Sequence, residues 1–368
     1  MKIHCSSNKL SSVHKTSIHK VQTTQIFVAS QANKGFTLVE LMISLVLGLL
    51  ISAAALQIFY TSSVNSRRQE ASSQIQDNAV FGFAQIQRHL RRANYGAKAT
   101  ANYDEFFMNH LTPQGGVVLS APAGTAGKWL NNNLSGLVLD GAAIPANLLS
   151  GSAAAASISN LSAVTKSDQL TIQYQAGQEG IFDCEGSAIP KNFYVIERYF
   201  VREDSTNASG LACASAIYKY DELLTGSSTG LDIKNYIKPG ETTATVNNLA
   251  GNGTIIIPNV DYFRVLLGIS SSKNFATFPS TSTIGYIPIP SATTMSAALS
   301  NNRIVSLQIG ILARSNNPTA TSQANSALTF SILDKKNVAL NTTSNSGPTY
   351  LRNVYESTIL LRNARGGL

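Results

Sequence analysis

Charge is scarce in this chain. Only 13% of its 368 residues are Asp, Glu, Lys or Arg, about half of the roughly 25% usual in soluble globular domains. Ser, Thr, Asn and Ala take their place, which predicts a neutral surface of the non-cytosolic kind. The apolar share of 43% excludes a disordered chain and suffices for one large or two modest cores. Histidine is sparse as well: of five, His4, His14 and His19 fall in the first 35 residues and leave His89 and His110. That removes the material for most metal sites and general bases. There are three cysteines, Cys5, Cys184 and Cys213, and a single tryptophan, Trp129, read as partly core. No acidic residue precedes Glu40, whereas Lys2, Lys9, Lys15, Lys20 and Lys34 do, so without those five lysines the net charge falls from +8 to +3. The basicity belongs to the N-terminal stretch and is no general nucleic-acid signal.

What the sequence has in quantity is one long apolar run. Residues 36–60 read FTLVELMISLVLGLLISAAALQIFY, with no Pro, Lys or Arg and one ionisable group, Glu40. As a helix this run is about 37 Å long, enough for a hydrocarbon core of about 30 Å. A secretory signal has an apolar core of about 7–15 residues followed by a small-residue cleavage site. Here a polar basic stretch precedes a longer run, so the span is expected to stay in the mature protein. The positive-inside rule puts the lysine-rich stretch in the cytoplasm and everything after residue 60 across the membrane. Glu40 costs about 2.5–3.5 kcal/mol there on insertion scales. It either snorkels to the interface or is neutralised by a partner.

The residues around it, Lys34-Gly35-Phe36-Thr37-Leu38-Val39-Glu40, resemble the class III signal of type IV prepilins. The resemblance implies a dedicated membrane peptidase that cuts after Gly35, methylates the new N-terminal Phe36 and requires Glu40 as the fifth mature residue. Cleavage would create an α-amine on Phe36, a cation able to pair with Glu40 in low dielectric, within one subunit or from the next. The sequence departs from the pattern in its leader, which at 35 residues is long for this class.

Beyond residue 60 a thinner apolar stripe continues at Val64, Ala71, Ile75, Ala79, Phe83, Ile86, Leu90 and Ala93, mostly three or four apart. One helix from 36 to about 94 would be roughly 90 Å long, with Asn94-Tyr95-Gly96 as its stop. The remainder reads as β-rich. Strands are expected at 170–175, 193–201, 217–220, 254–269, 304–309, 327–333 and 350–361, and loops at 120–165, 270–302 and 315–326. No internal repeat is present. The organisation predicted is therefore a leader at 1–35, a membrane or fibre-core half-helix at 36–60, an amphipathic half-helix at 61–95, and a β-rich extracytoplasmic head at 96–368. The fold class is α+β, a long helix packed on an antiparallel head. Cys184 and Cys213, an even pair beyond the membrane, are expected to form a disulfide worth about 3.5 kcal/mol on the loop-entropy model; two buried thiols are the alternative.

The head narrows the resemblance. D-Q-L-T-I at 168–172, D-C-E-G at 183–186, F-Y-V at 193–195, L-A-C at 211–213, the V-L-L-G end of 260–268, R-I-V-S-L-Q-I-G-I-L-A-R-S at 303–315 and L-L-R-N at 360–363 together are similar to minor pilins of the PilW type. That implies a subunit which, after processing, helps initiate type IV pilus assembly and joins the fibre tip. Implied partners are the prepilin peptidase, other minor pilins and the major pilin through the N-terminal helix, a large tip adhesin and the inner membrane; no cofactor and no nucleic acid are implied. A J-type pseudopilin of type II secretion and a tip adhesin or DNA receptor are the competing functions.

Enzymatic motifs do not survive inspection. Gly226-Ser227-Ser228-Thr229-Gly230 matches G-x-S-x-G, but no histidine follows it, as that hydrolase order requires. There is no H-E-x-x-H, P-loop or four-ligand Cys/His set. Glu203-Asp204 and Asp221-Glu222 read as solvated turns. Arg67, Arg68, Arg88, Arg91 and Arg92 read as a solvated or headgroup-facing helix side, since no aromatic interleaving accompanies them.

Overall fold

The computed structural model describes residues 35–99, 105–121, 132–206, 208–219, 230–270, 283–319, 328–341 and 349–364. Lys34, Trp129, Asp221-Glu222, the 226–229 part of the Gly/Ser motif and the leader lie outside them. The chain divides into two compact units, Met1–Phe59 and Tyr60–Leu368. A 53-residue helix, α1 (Leu38–Leu90), runs from the first into the second.

In the first unit every described residue is exposed. The segment is rich in Leu and Ala, good helix formers, and reaches a mean hydropathy of 2.3 over 18 residues, long and apolar enough to cross a membrane. Its apolar side chains have no protein core to enter, which is the condition of a helix whose solvent is lipid or other helices.

In the second unit α1 becomes one-sided. Ala71, Ile75, Ala79, Gly82, Phe83, Ile86, His89 and Leu90 are buried, the three-and-four spacing expected of a core-facing stripe. Gly82 costs the helix about 1 kcal/mol relative to Ala, and its reason is contact: a Cβ there would overlap the Ile257 side chain.

Two four-stranded antiparallel sheets share that core. The first comprises β1 (Leu170–Gln175), β2 (Tyr194–Glu203), β3 (Ser209–Tyr218) and β4 (Thr254–Pro258), in the order β4-β3-β2-β1. The second comprises β5 (Val260–Ser270), β6 (Gly285–Pro288), β7 (Arg303–Arg314) and β10 (Arg352–Leu360), in the order β6-β5-β7-β10. Between β7 and β10 the hairpin β8 (Thr329–Ile332) and β9 (Lys335–Ala339) forms its own small sheet. A short helix, α2 (Met295–Leu299), precedes β7.

Both faces of each sheet are covered, so the central strands are buried on both sides. Leu170, Ile172, Tyr174, Val195, Tyr199, Val201, Phe263, Val265, Leu267, Leu307, Ile309 and Ile311 pack with Ile75, Phe83, Ile86 and Leu90 of α1 in one cluster. The opposite face of the first sheet, with Tyr194, Ile196, Ala216 and Tyr218, is covered by Val118, Leu134, Leu137, Ile144 and Leu148. The opposite face of the second, with Tyr262 and Leu312, is covered by Leu161, Ile332, Val338 and Leu340.

Several boundaries differ from the sequence reading. The strand expected at 254–269 is two strands in different sheets, because Asn259 adopts a left-handed φ of 56° and turns the chain; Asn tolerates that conformation better than most residues. The strand expected at 217–220 starts at Ser209, its first half disguised by Gly210, Ala212 and Ala214. The loop expected at 270–302 contains β6 and α2, and the loop expected at 120–165 contains the short strand Leu137–Val138 and the 3-10 turn Ala146–Leu148.

Candidate processing and assembly site

The start of α1 is built by its own sequence. Thr37 precedes the first helical residue, its Oγ1 accepts the Glu40 backbone N–H at 3.3 Å, and its carbonyl accepts that of Leu41 at 3.1 Å. Thr37-x-x-Glu40 therefore has the spacing of a capping box, a signal present in the sequence and not drawn from it above. Glu40 also sits in the first helical turn, where a negative charge meets the positive end of the helix dipole. Gly35 is fully accessible with open space around its Cα, and Phe36 is 84% exposed. The Gly35–Phe36 peptide thus lies in exposed chain just ahead of the helix.

The other end of α1 is fastened by polar residues. After Leu90 the chain continues in turns to Gly96, with Asn94 at φ 71°. The Asn94 N–H donates to Gln173 O at 3.1 Å, which joins the helix exit to β1. Its Oδ1 accepts the Gly116 N–H at 2.9 Å and its Nδ2 donates to Asn363 O at 3.0 Å. Asn363 answers with its own side-chain amide, placed 3.2–3.3 Å from the carbonyls of Arg91, Arg92 and Ala93. The last carbonyls of a helix lack intrahelical partners; here those of Gln87, His89 and Leu90 accept the N–H groups of Arg91, Arg92 and Ala93, and the C-terminal L-L-R-N segment supplies partners for the carbonyls of the turn that follows.

One turn earlier, His89 meets a carboxylate. Its Nδ1 lies 2.8 Å from Oε1 of Glu197, a β2 residue with no exposed surface. Oε1 also accepts the Tyr174 hydroxyl and the Cys184 N–H, each at 2.9 Å, and Oε2 accepts the Tyr199 hydroxyl at 2.7 Å. Burial pushes both tyrosines well above their ordinary range, and the nearby Glu197 charge adds to it. Arg92 stands over the Tyr174 ring at 5.8 Å. Nothing in the composition singled out Glu197; a lone acid in an aromatic strand carries no motif.

Cys184 belongs to the same neighbourhood. Cys184 and Cys213 form a disulfide, with Cα atoms 6.1 Å apart, tying the 183–186 turn to β3. Farther away two ion-pair clusters join strand ends. Arg264 pairs with Asp168 at 3.0 Å and Asp334 at 2.6 Å, and Asp261 pairs with Arg352 at 2.7 Å. Burial raises the Asp168 carboxyl above the usual range, a shift that Arg264 opposes. Asp204 accepts the N–H groups of Thr206 and Ala208 and is a turn residue. Among the described residues no group of three or more His, Cys, Asp or Glu could hold a metal.

A helix of this hydropathy that continues into the core stripe of a β-rich head is joined by two matches of the sequence to known families. Residues 30–56 match the prokaryotic N-terminal methylation motif. Residues 198–363 match the family described as type IV pilus-assembly protein W, PilW. The chain thus joins a prepilin-type N-terminal motif to a segment similar to a pilus-assembly family. More particularly, it carries a PilW domain over 166 of its 368 residues. A type IV-like pilin from Thermus thermophilus is similar over 79% of this chain and 98% of its own, at 10% identity and a TM-score of 0.30. No curated protein matches the sequence.

Proposed function

We propose that the protein is a minor pilin that primes assembly of a type IV pilus and occupies the fibre tip. In this reading a prepilin peptidase cuts between Gly35 and Phe36 and methylates Phe36, the preceding residues including Lys34 being discarded. The 36–60 helix anchors the subunit in the inner membrane with its head outside, then enters the helical core of the fibre beside other minor pilins and the major pilin. The observation that carries the proposal is the coincidence in one chain of the methylation motif, a wholly exposed apolar half-helix and a PilW domain. Size supports a minor role, since a chain of 333 residues after processing is bulky for a subunit repeated along a fibre. The chemistry done on the chain belongs to the peptidase; the chain itself works by packing.

Deleting the protein tests the role. Surface pili are expected to fall to a small fraction of the wild-type count and to reappear when retraction is also disabled, the signature of lost priming. Wild-type pilus numbers in the deletion would contradict a part in initiation.

A further inference from the structure

Three carboxylates crowd around Cys184. Asp183 and Glu185 flank it in sequence, and Glu197 accepts its N–H. Asp183 Oδ2 lies 2.8 Å and Glu185 Oε2 2.9 Å from the Ser215 hydroxyl oxygen. A hydroxyl has one proton to donate, so it satisfies only one of them, and the two acids stand within about 6 Å of each other, close enough for their negative charges to repel. Among the described residues their remaining partners are the amides of Glu185, Ser187 and Ser215 and the Asn248 side chain, with no lysine or arginine among them. On the Glu197 side the facing groups are His89 and Arg92 of α1, Tyr174 of β1 and Tyr199 of β2. Burial raises the Asp183 carboxyl above its usual range, and Glu197 adds to the shift. Against this repulsion stand the covalent bond from Cys184 to Cys213 and the hydrogen bonds that Ser215 and Asn248 give the two acids. Both sulfur residues are almost wholly buried, so an oxidant reaches them only before the 183–186 turn closes.

We propose that the Cys184–Cys213 bond is a redox checkpoint on the seating of α1. While the cysteines are reduced, repulsion among Asp183, Glu185 and Glu197 holds the 183–186 turn off β3. Glu197 then lacks the Cys184 N–H, and its hold on His89 and the tyrosines loosens. Oxidation closes the turn. The two thiols give two electrons and two protons to a disulfide oxidant, which leaves as a dithiol, and the new S–S bond holds the acids together. A head outside the membrane would meet such an oxidant before fibre assembly. That clause rests on the proposed topology, whereas the test is done on purified protein and does not.

The test is hydrogen exchange on the full chain in detergent micelles. Relative to the oxidised protein, Cys184→Ala/Cys213→Ala is expected to exchange at least about tenfold faster at residues 79–93, while β5 and β7 keep their protection. Adding Asp183→Asn and Glu185→Gln to that variant is expected to restore most of the lost protection. Wild-type protection in the cysteine variant overturns the checkpoint. Loss that charge removal does not restore overturns the repulsion mechanism. If the cysteine variant unfolds throughout, the decision passes to the thiol–disulfide equilibrium of the cysteine-containing chain with dithiothreitol. Asp183→Asn/Glu185→Gln is expected to make the bond about tenfold harder to reduce, and an unchanged constant contradicts the proposal.

Discussion

Replacing Glu40 with alanine is expected to leave the protein in the membrane and to remove it from fibres. The substitution takes a carboxylate costing about 2.5–3.5 kcal/mol out of an apolar run, so insertion is unchanged or improved. If Glu40 neutralises the Phe36 α-amine, its loss leaves a cation unpaired among packed helices, at about 3–5 kcal/mol for a broken buried pair. The capping geometry at Thr37 offers a second account, in which Glu40 only strengthens the helix start. Glu40→Gln separates them, because Gln keeps the capping-box chemistry and lacks the charge. Under pairing, both variants are absent from sheared fibres while membrane fractions hold wild-type amounts. Gln at wild-type level in fibres would reduce Glu40 to a helix cap, and Ala at wild-type level would dismiss both roles.

Replacing Glu197 with alanine is the substitution expected to damage the head most. It deprives the Tyr174 and Tyr199 hydroxyls, the Cys184 N–H and His89 of their common acceptor at once. Breaking such a buried cluster from one side costs about 3–5 kcal/mol. Denaturant unfolding monitored on the oxidised protein checks the magnitude, and a loss under about 1 kcal/mol would show that the cluster contributes little. Glu197→Gln keeps an acceptor and is expected to lose less. It also removes the charge that helps hold the two tyrosines up, so their titration moves down toward the ordinary range while burial keeps it raised. The sign of the alkaline limb follows. Tyrosines whose pKa is raised on folding contribute stability that is present below about pH 10 and lost as pH rises past it.

The parts of this structure legible in sequence are those set by periodicity and by uninterrupted composition. The apolar 36–60 run shows in composition, the stripe from Ala71 to Leu90 shows because burial repeats with the helix period, and the strands at 170–175 and 304–309 show through their alternating side-chain types, although both of their faces are buried. The Cys184–Cys213 pairing was legible from parity, and the structure brings the two together. What escaped depends on partners far along the chain. The first half of β3 is made of Gly and Ala, small because Cβ atoms at Gly210 would meet β4, and no propensity marks it. Glu197 and Asn363 bind α1 from 108 and about 270 residues away, and neither stands in a recognisable spacing. Thr37-x-x-Glu40 was legible in principle, but the prepilin resemblance accounted for Glu40 first.

The most direct test of a processed, fibre-borne subunit is the N-terminus of the protein recovered from sheared surface fibres. Mass spectrometry of that fraction is expected to find a chain beginning at N-methylated Phe36, with Cys184 and Cys213 in one cross-linked peptide. A chain still beginning at Met1, one cut beyond Tyr60, or no such chain in the fibres at all would contradict it.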